Sequence, residues 1–488
     1  MIHNTSNEEK ASSIFVCSEV SALKRLLIHS PDSGLGKVVP SKAQDWLFED
    51  IVHLDTMRKD EYDFYVKILL YFLDPEKIKG KLNDIDNDLS RNFYKPDKKE
   101  YFRSDKVIEF ETLLADVLDM NQVKTQLVAA VCAIEECSYA EMLSFMTLDS
   151  IELSKILITG LTSEGEMFFP PIPNLIFTRD IGIVVNDHII LNKPARAARS
   201  RESLLTKYIF FNHPYFEELR GKIIEIEEDE EHFLLPEDEQ ENRIDTLEGG
   251  DVMMVAPGHL LIGISERTSV EAARQVIRKL LEKNIVKKVS LIKIPAKRDY
   301  MHIDTIFTQI KKNVWVLLGS LGRTSDQAQK ESVWDEIGQK TSPEEIIIKQ
   351  FYAEDSQIKH RSFDNLEELL KYISEIDLKC QEPVKFVYSG NNIFPYGARE
   401  QWTDSCNLLV LKDGVAIGYD RNDKTSEAFR ANGFSTIKAA DLLQKFENDE
   451  LSPETLTDTI ILLPSAELSR ARGGSHCMSL PLLRASVD

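Results

Sequence analysis

The chain is 488 residues long, and its 59 lysines and arginines against 81 aspartates and glutamates give a formal net charge of −22. That excess of acid disfavours nucleic-acid backbones and anionic membrane surfaces as partners, and a composition 42% hydrophobic and 29% charged excludes wholesale disorder. ILLYFL (68–73) and IILLP (460–464) fall far short of the roughly 20 apolar residues of a membrane span, and the start, MIHNTSNEEK, lacks a leader's apolar run, so a soluble cytoplasmic protein is expected. Six cysteines with no CxxC pair argue against a disulfide framework or a zinc ribbon and read as free thiols.

In chain order, VCSEVSALKRLLIHS (16–30) reads as a strand region ending in the Pro/Gly turn near Pro31 and Gly34. Apolar residues at helical spacing then predict a helix over Lys42–Leu73, with Ser41 as its cap. Further helices are expected over Ser104–Leu118 and Asn121–Cys137, and no glycine between Gly80 and Gly160 interrupts them, so 76–160 reads as an α-helical insertion. Beyond Pro173 come strand-like runs: IGIVV (181–185), HIIL (188–191), KIIEI (222–226), DVMMV (251–255), HLLIGI (259–264), VSLIKI (289–294) and VWVLLG (314–319). Helices expected over Arg199–Phe210, Ser269–Lys283 and Leu366–Ile376 alternate with them, giving an α/β or α+β protein. The acidic run Glu225–Glu231, the segment 324–360 and a helix-like LSPETLTDT (451–459) read as solvated excursions from the sheets.

Four segments carry chemistry. PNLIFTRD (173–180) sets an asparagine and an aspartate ahead of a strand, and LEGGD (247–251) places two carboxylates around a diglycine. Acids converging on one pocket suit a planar cation such as a guanidinium, each accepting paired N–H donors. In MHID (301–304), a strand would point His302 and Asp304 to one face, a proton carrier beside an acid. RARGGSHCM (470–478) sets Cys477 after a diglycine flanked by arginines, whose positive charge is expected to lower the thiol's pKa and favour a nucleophilic thiolate. Taken singly, each has a plainer reading as a turn, a surface pair or a buried free cysteine. Gly34-Leu35-Gly36-Lys37 lacks the upstream glycine of a phosphate loop, and no close ligand pair stands at metal-binding spacing.

Together with ISERTS (264–269), MHIDTIFT (301–308) and AREQWTDSCN (398–407), these segments resemble the signature segments of the arginine deiminase family, in the same chain order. The likeness extends to VCSEVSALKRLLIHSPD and LFEDIVHLD (47–55), so it covers nearly the whole chain. The resemblance implies a five-bladed β/α propeller of pentein type with an inserted α-helical domain: residues 1–75 and 161–488 as the catalytic propeller and 76–160 as the insertion. It implies hydrolysis of L-arginine to L-citrulline and ammonia through a covalent S-amidino-cysteine, with no metal and no organic cofactor; the charge balance already argues against a nucleic-acid or membrane partner, and self-association is left open. Transfer of the amidino group to an amine, or deimination of another guanidino compound, are the alternatives. By resemblance, Cys477 is the nucleophile, His302 the general acid/base, Glu248 and Asp304 the acids flanking it, and Asp180 the guanidinium-binding aspartate. Asn174, Phe177, Asp251, Arg267 and Arg472 are implied pocket residues, joined by Arg199 as a carboxylate-binding arginine whose register against Arg196 and Arg201 is open. His476 is matched without a role, 394–403 is a candidate lid, and Ala471, Ser475 and Thr403 depart from the family pattern.

Overall fold

The computed structural model describes residues 14–88, 103–228, 245–322 and 346–487, apart from positions 44, 47, 49, 296 and 356. Eighteen strands in these residues form five small sheets. The first joins the two ends of the described chain: β1 (Leu23–Ile28) runs antiparallel to β18 (Leu480–Arg484), with Leu27 opposite Leu480, and parallel to β2 (Val107–Glu109). The second is β3 (Gly182–Val185), β4 (His188–Leu191) and β5 (Ile223–Ile224). The third orders β6 (Val252–Ala256), β7 (His259–Ile264), β8 (Lys288–Lys293), β11 (Ile347–Glu354) and β12 (Gln357–Phe363) side by side. The fourth is β9 (Phe307–Lys311), β10 (Val314–Leu317) and β13 (Lys385–Tyr388), and the fifth β14 (Leu409–Lys412), β15 (Val415–Tyr419), β17 (Thr459–Leu463) and β16 (Ser435–Lys438).

In four of the five sheets an antiparallel pair is followed, through a helix, by a parallel partner; β7 leads through the helix Val270–Glu282 to β8, and β15 through Asp423–Ala431 to the β16–β17 edge. A parallel partner requires such a crossover, and the apolar face of each helix covers its sheet. Ala272, Ala273, Val276, Ile277, Leu280 and Leu281 of Val270–Glu282 are all buried, and Ser269 caps the helix by accepting from Ala272 N–H.

Helices Phe110–Leu118, Asn121–Ile134, Tyr139–Thr147 and Ser150–Thr159 share one apolar core with β3, β4 and the helix Ser200–Asn212. Ser138 and Glu141 form a reciprocal capping box on the third of these, and Asp149 caps the fourth. Gly160 ends the run at φ +71°, where a Cβ would lie 1.9 Å from the Phe169 carbonyl oxygen, so both conformation and space require glycine.

Three expected elements differ. The helix expected over Lys42–Leu73 starts at Leu54, where His53 rather than Ser41 is the cap; residues 40–43, 45 and 46 turn instead, and the Trp46 carbonyl accepts from the Asn174 side chain. Leu47, within that expected helix, lies outside the described residues. Over Ser104–Leu118 the β-branched pair Val107-Ile108 forms a strand before the helix, drawn in by β1 and by Glu109, whose carboxylate accepts from Ser30 N–H and Oγ–H. The expected helix at 451–459 is a turn closed between Ser452 and Thr455, after which Thr459 enters β17. The acidic run is described only to 228, and most of 324–360 also lies outside the described residues, but Ile347–Glu354 is no excursion: it is β11, paired between β8 and β12 in the third sheet.

Candidate active site

The C-terminal motif is a loop pinned from every side. A 3-10 turn, Leu468–Ala471, ends at Arg472 in the left-handed region (φ 63°). A Cβ on Gly473 would stand 2.2 Å from the Phe177 ring and one on Gly474 2.4 Å from the Asn407 carbonyl oxygen, so the diglycine brings the loop onto both. Tyr419 OH donates to the Gly473 carbonyl at 2.7 Å, and Tyr65 OH to that of Ser475 at 3.3 Å. Ser475, a departure from the family pattern, is fully used: its hydroxyl donates to Ile417 O at 2.7 Å and accepts from Leu409 N–H at 3.0 Å. Ser475→Ala removes both of these buried hydrogen bonds and is expected to lower unfolding free energy by roughly 2 kcal/mol, read from urea denaturation. Asn407 Oδ1 accepts from Cys477 N–H at 3.0 Å, and Cys477 O accepts from Arg179 N–H at 2.9 Å.

Around the thiol the sequence-predicted residues converge. Asp304 Oδ2 accepts from the Cys477 thiol at 3.5 Å and pairs with His476 Nδ1 at 2.9 Å. His302 Nε2 lies 3.0 Å from Glu248 Oε2, and its Nδ1 3.8 Å from Asp180 Oδ1. The expectation that His302 and Asp304 share a strand face fails. Ile303–Thr305 is a 3-10 turn, so the two side chains diverge, the imidazole to Glu248 and the carboxylate to the His-Cys pair. A Cβ on Gly250 would stand 2.4 Å from His302 Nδ1, which explains the second diglycine: its backbone is the floor under the imidazole.

Asn174, Phe177, Asp180, Arg199, Arg267, His302, Arg472 and Cys477 line one pocket with Met301, Thr305 and Ala471, and its free space is only ≈ 20 Å³. Among the three candidate arginines of 196–201 it is Arg199 that lines this pocket; Arg196 is exposed, and Arg201 is buried against Glu135 and the Pro170 carbonyl. Arg199 is not turned to a carboxylate-bearing mouth here. Its Nη1 lies 3.0 Å from both Asp180 Oδ2 and Glu248 Oε2, and Glu202 takes the rest of the fork. Asp180, Glu248 and His302 could each offer one atom to a cation within 4.8 Å of the others, yet the Arg199 guanidinium already fills that place with positive charge. Asp251 does not line the pocket: its oxygens accept from Ile303 N–H at 3.0 Å and Ser265 Oγ–H at 2.6 Å, bracing the His302 segment from behind. Arg267 stands 3.9 Å from Glu248, and the Arg472 guanidinium lies over the Trp402 ring, 3.3 Å from its centroid. Trp402 closes the helix Tyr396–Trp402, within the segment expected to be a lid.

Charge here runs opposite to one expectation. Burial pushes the Cys477 thiol well above its ordinary range, and the carboxylates of Asp304, Asp180 and Asp404 push it further, so neighbouring arginines do not make a standing thiolate. Burial alone would also strip the proton from His302, but Asp180, the Glu248 hydrogen bond and Asp251 outweigh it and hold the imidazolium up to about 10. Glu248, opposed by its own burial, is kept far below the usual carboxylate range by Arg199, His302 and Arg267. Because His302's pKa is raised in the folded protein, its contribution to stability is full below its ordinary 6.5 and is lost as pH rises through about 10. The Tm advantage of the protein over His302→Gln is therefore expected to shrink between those pH values, as differential scanning calorimetry would show.

Some site residues escaped sequence reasoning. Glu19 is buried against Arg179, 3.0 Å from Nη1, and 3.6 Å from His476 Nε2, so a line of contacts runs Glu19–His476–Asp304–Cys477. Burial pushes Asp404 up to about 7 against the pull of Arg472. Both, like Asn407, lie in segments singled out above, but only contact across the fold gives them a place at the site.

Most telling are Asp180 Oδ1 and Asp304 Oδ1, buried carboxylate oxygens with no hydrogen-bond partner among the described residues. Buried acceptors of that kind are costly unless N–H donors meet them.

The arginine deiminase family model matches residues 44–484. Arginine deiminases of Staphylococcus aureus strains JH9 and Newman are each 27% identical over 498 residues, covering 97% of this chain and 99% of theirs. Among solved structures, an amidinotransferase from Microseira wollei of a saxitoxin biosynthetic pathway covers 98% of this chain and 99% of its own at 13% identity, with a TM-score of 0.43. A citrulline-bound enzyme from Pseudomonas aeruginosa covers 63% of this chain and 76% of its own at 15% identity, with a TM-score of 0.34. With the family model spanning most of the chain and the motif residues gathered in one buried pocket, the protein belongs to the arginine deiminase family.

Proposed function

We infer that the protein hydrolyses L-arginine to L-citrulline and ammonia. The observation that carries this reading is two buried carboxylate oxygens without a hydrogen bond among the described residues: Asp180 Oδ1, whose side chain lines the pocket with Cys477 and His302, and Asp304 Oδ1, whose carboxylate touches the Cys477 thiol. A guanidinium is the planar cation whose N–H edges suit two such acceptors. With ≈ 20 Å³ free, side chains at the mouth move to admit it.

Bound there, the substrate's positive charge cancels the carboxylate charges that keep Cys477 protonated, so the thiol yields its proton to solvent only when substrate is present. The thiolate attacks the guanidinium carbon, and His302, already an imidazolium, gives its proton to the departing amine, so that ammonia leaves. An S-amidino-cysteine remains. Neutral His302 then takes a proton from water, hydroxide adds to the same carbon, the C–S bond breaks, and citrulline is released with the thiolate restored. Glu248 orients and charges His302, while Arg199 fixes Asp180 and Glu248 through their other oxygens. Arg267 and Arg472 at the pocket wall are the cations for the substrate carboxylate, with Asn174 and Phe177 lining its path and Asp251 holding the His302 backbone. The reading extends to architecture: five sheets support a five-bladed β/α propeller over 1–75 and 161–488, with 76–160 as an inserted helical domain.

Rapid quenching in acid followed by intact-mass measurement tests the scheme. An adduct on the Cys477 peptide heavier by arginine less one ammonia, the substrate chain still attached through its amidino carbon, is expected with L-arginine and is absent in Cys477→Ala; turnover without any such adduct would sink the covalent route.

A further inference from the structure

A cavity of ≈ 590 Å³ lies away from the reaction centre, between the helices Tyr396–Trp402 and Asp423–Ala431. In a protein of net charge −22 its walls carry Arg399, Arg421, Lys424 and Arg430. Among the described residues no carboxylate pairs with the three arginines: Arg421 donates only to Ser469 Oγ and Ala466 O, Arg430 to Thr436 Oγ1, and the Arg399 side chain to nothing. The acids present are mostly engaged. Glu400 accepts from Lys424 N–H, Thr425 N–H and Thr425 Oγ–H, and Glu427 pairs with Lys424, which leaves Asp423 as the one carboxylate set against three guanidinium groups. Unneutralised arginine forks around a concave space are suited to phosphate oxygens, which they engage bidentately. Tyr396 and Pro395 line the same cavity, and Phe394 stands beside them 68% exposed, giving a ring-bearing ligand a surface to lie on.

The helix that forms one wall also reaches the reaction centre. Trp402, at its end, lies under the Arg472 guanidinium, and Gln401 donates to the carbonyls of Asp299 at 2.8 Å and Thr305 at 3.3 Å, on either side of His302 and Asp304. We propose that this cavity binds a phosphate-bearing metabolite, an inorganic or nucleoside polyphosphate, and that its occupancy shifts Tyr396–Trp402 and so changes the affinity for the guanidino substrate. The coupling rests on the hydrolase reading; the binding does not.

Isothermal titration of the full chain at low ionic strength with sodium tripolyphosphate, and separately with adenosine triphosphate, reads the site directly. Saturable one-site binding is expected, weakened on the order of tenfold or more in the double variant Arg399→Ala/Arg421→Ala. Tighter binding of the nucleotide, abolished by Tyr396→Ala, would assign the ring to the aromatic rim; equal affinities would assign a plain polyphosphate. The KM for L-arginine should move at least about twofold with ligand in the parent protein and stay put in the double variant, a linked change in binding. Absence of saturable binding, or binding untouched by the two substitutions, overturns the site. Binding that leaves KM unchanged overturns the coupling alone, and a protein that binds polyphosphate but does not hydrolyse arginine would refute the proposed activity while leaving the site standing.

Discussion

Cys477→Ala is expected to abolish citrulline formation, lowering kcat on the order of 10⁴-fold or more, while the thermal unfolding transition stays close to that of the parent. The sulfur is the one soft nucleophile in the pocket, and its backbone is held independently of the side chain: Asn407 accepts from its N–H, and its carbonyl accepts from Arg179. Removing Sγ also removes the hydrogen bond to Asp304 Oδ2, but His476 still holds that oxygen, so the acid keeps its position. Loss of turnover together with retained L-arginine binding, measured by titration, separates a missing nucleophile from a collapsed pocket. Appreciable turnover by the alanine variant would remove the covalent step from the mechanism.

Gly250→Ala should produce the second largest effect through a single added methyl group. The new Cβ would lie 2.4 Å from His302 Nδ1 and 2.7 Å from Cγ, distances no carbon adopts, while the backbone at 250 has no left-handed strain to add. The imidazole must therefore move away from the floor, lengthening its 3.0 Å bond to Glu248. A shift of roughly 1 Å in a proton carrier can cost on the order of 10²-fold, so kcat is expected to fall by about that factor with little change in KM. An unaltered kcat would mean that proton transfer does not depend on His302 holding this place.

The sequence made some of this legible and hid the rest for physical reasons. RGGSHCM could be read because its glycines, thiol and arginine are contiguous, and each glycine answers to a close approach, Gly473 to Phe177 and Gly474 to Asn407. Strands such as HLLIGI and helices such as Val270–Glu282 were visible because their burial follows their own periodicity. The start of the helix at Leu54 was not, because Trp46 and Ile51 continue the apolar spacing, whereas the carbonyl of Trp46 is taken by Asn174, 128 residues away. Thiol ionisation was misjudged for a similar reason. Arginines lie beside Cys477 in the chain, but three carboxylates and complete burial surround it in space. The place of Arg199 among the acids, and the line from Glu19 through His476 to Asp304, exist only once β1, β3 and the C-terminal loop are assembled.

The central claim is that this pocket hydrolyses free L-arginine unaided by a second substrate. Mass spectrometry of the products formed by the purified protein with L-arginine in water, without an amine acceptor, tests it most directly. Citrulline and ammonia in equal amounts, with one ¹⁸O entering citrulline from labelled water, is the predicted result; no product until an amine such as glycine is added, or arginine left intact under every condition, would contradict it.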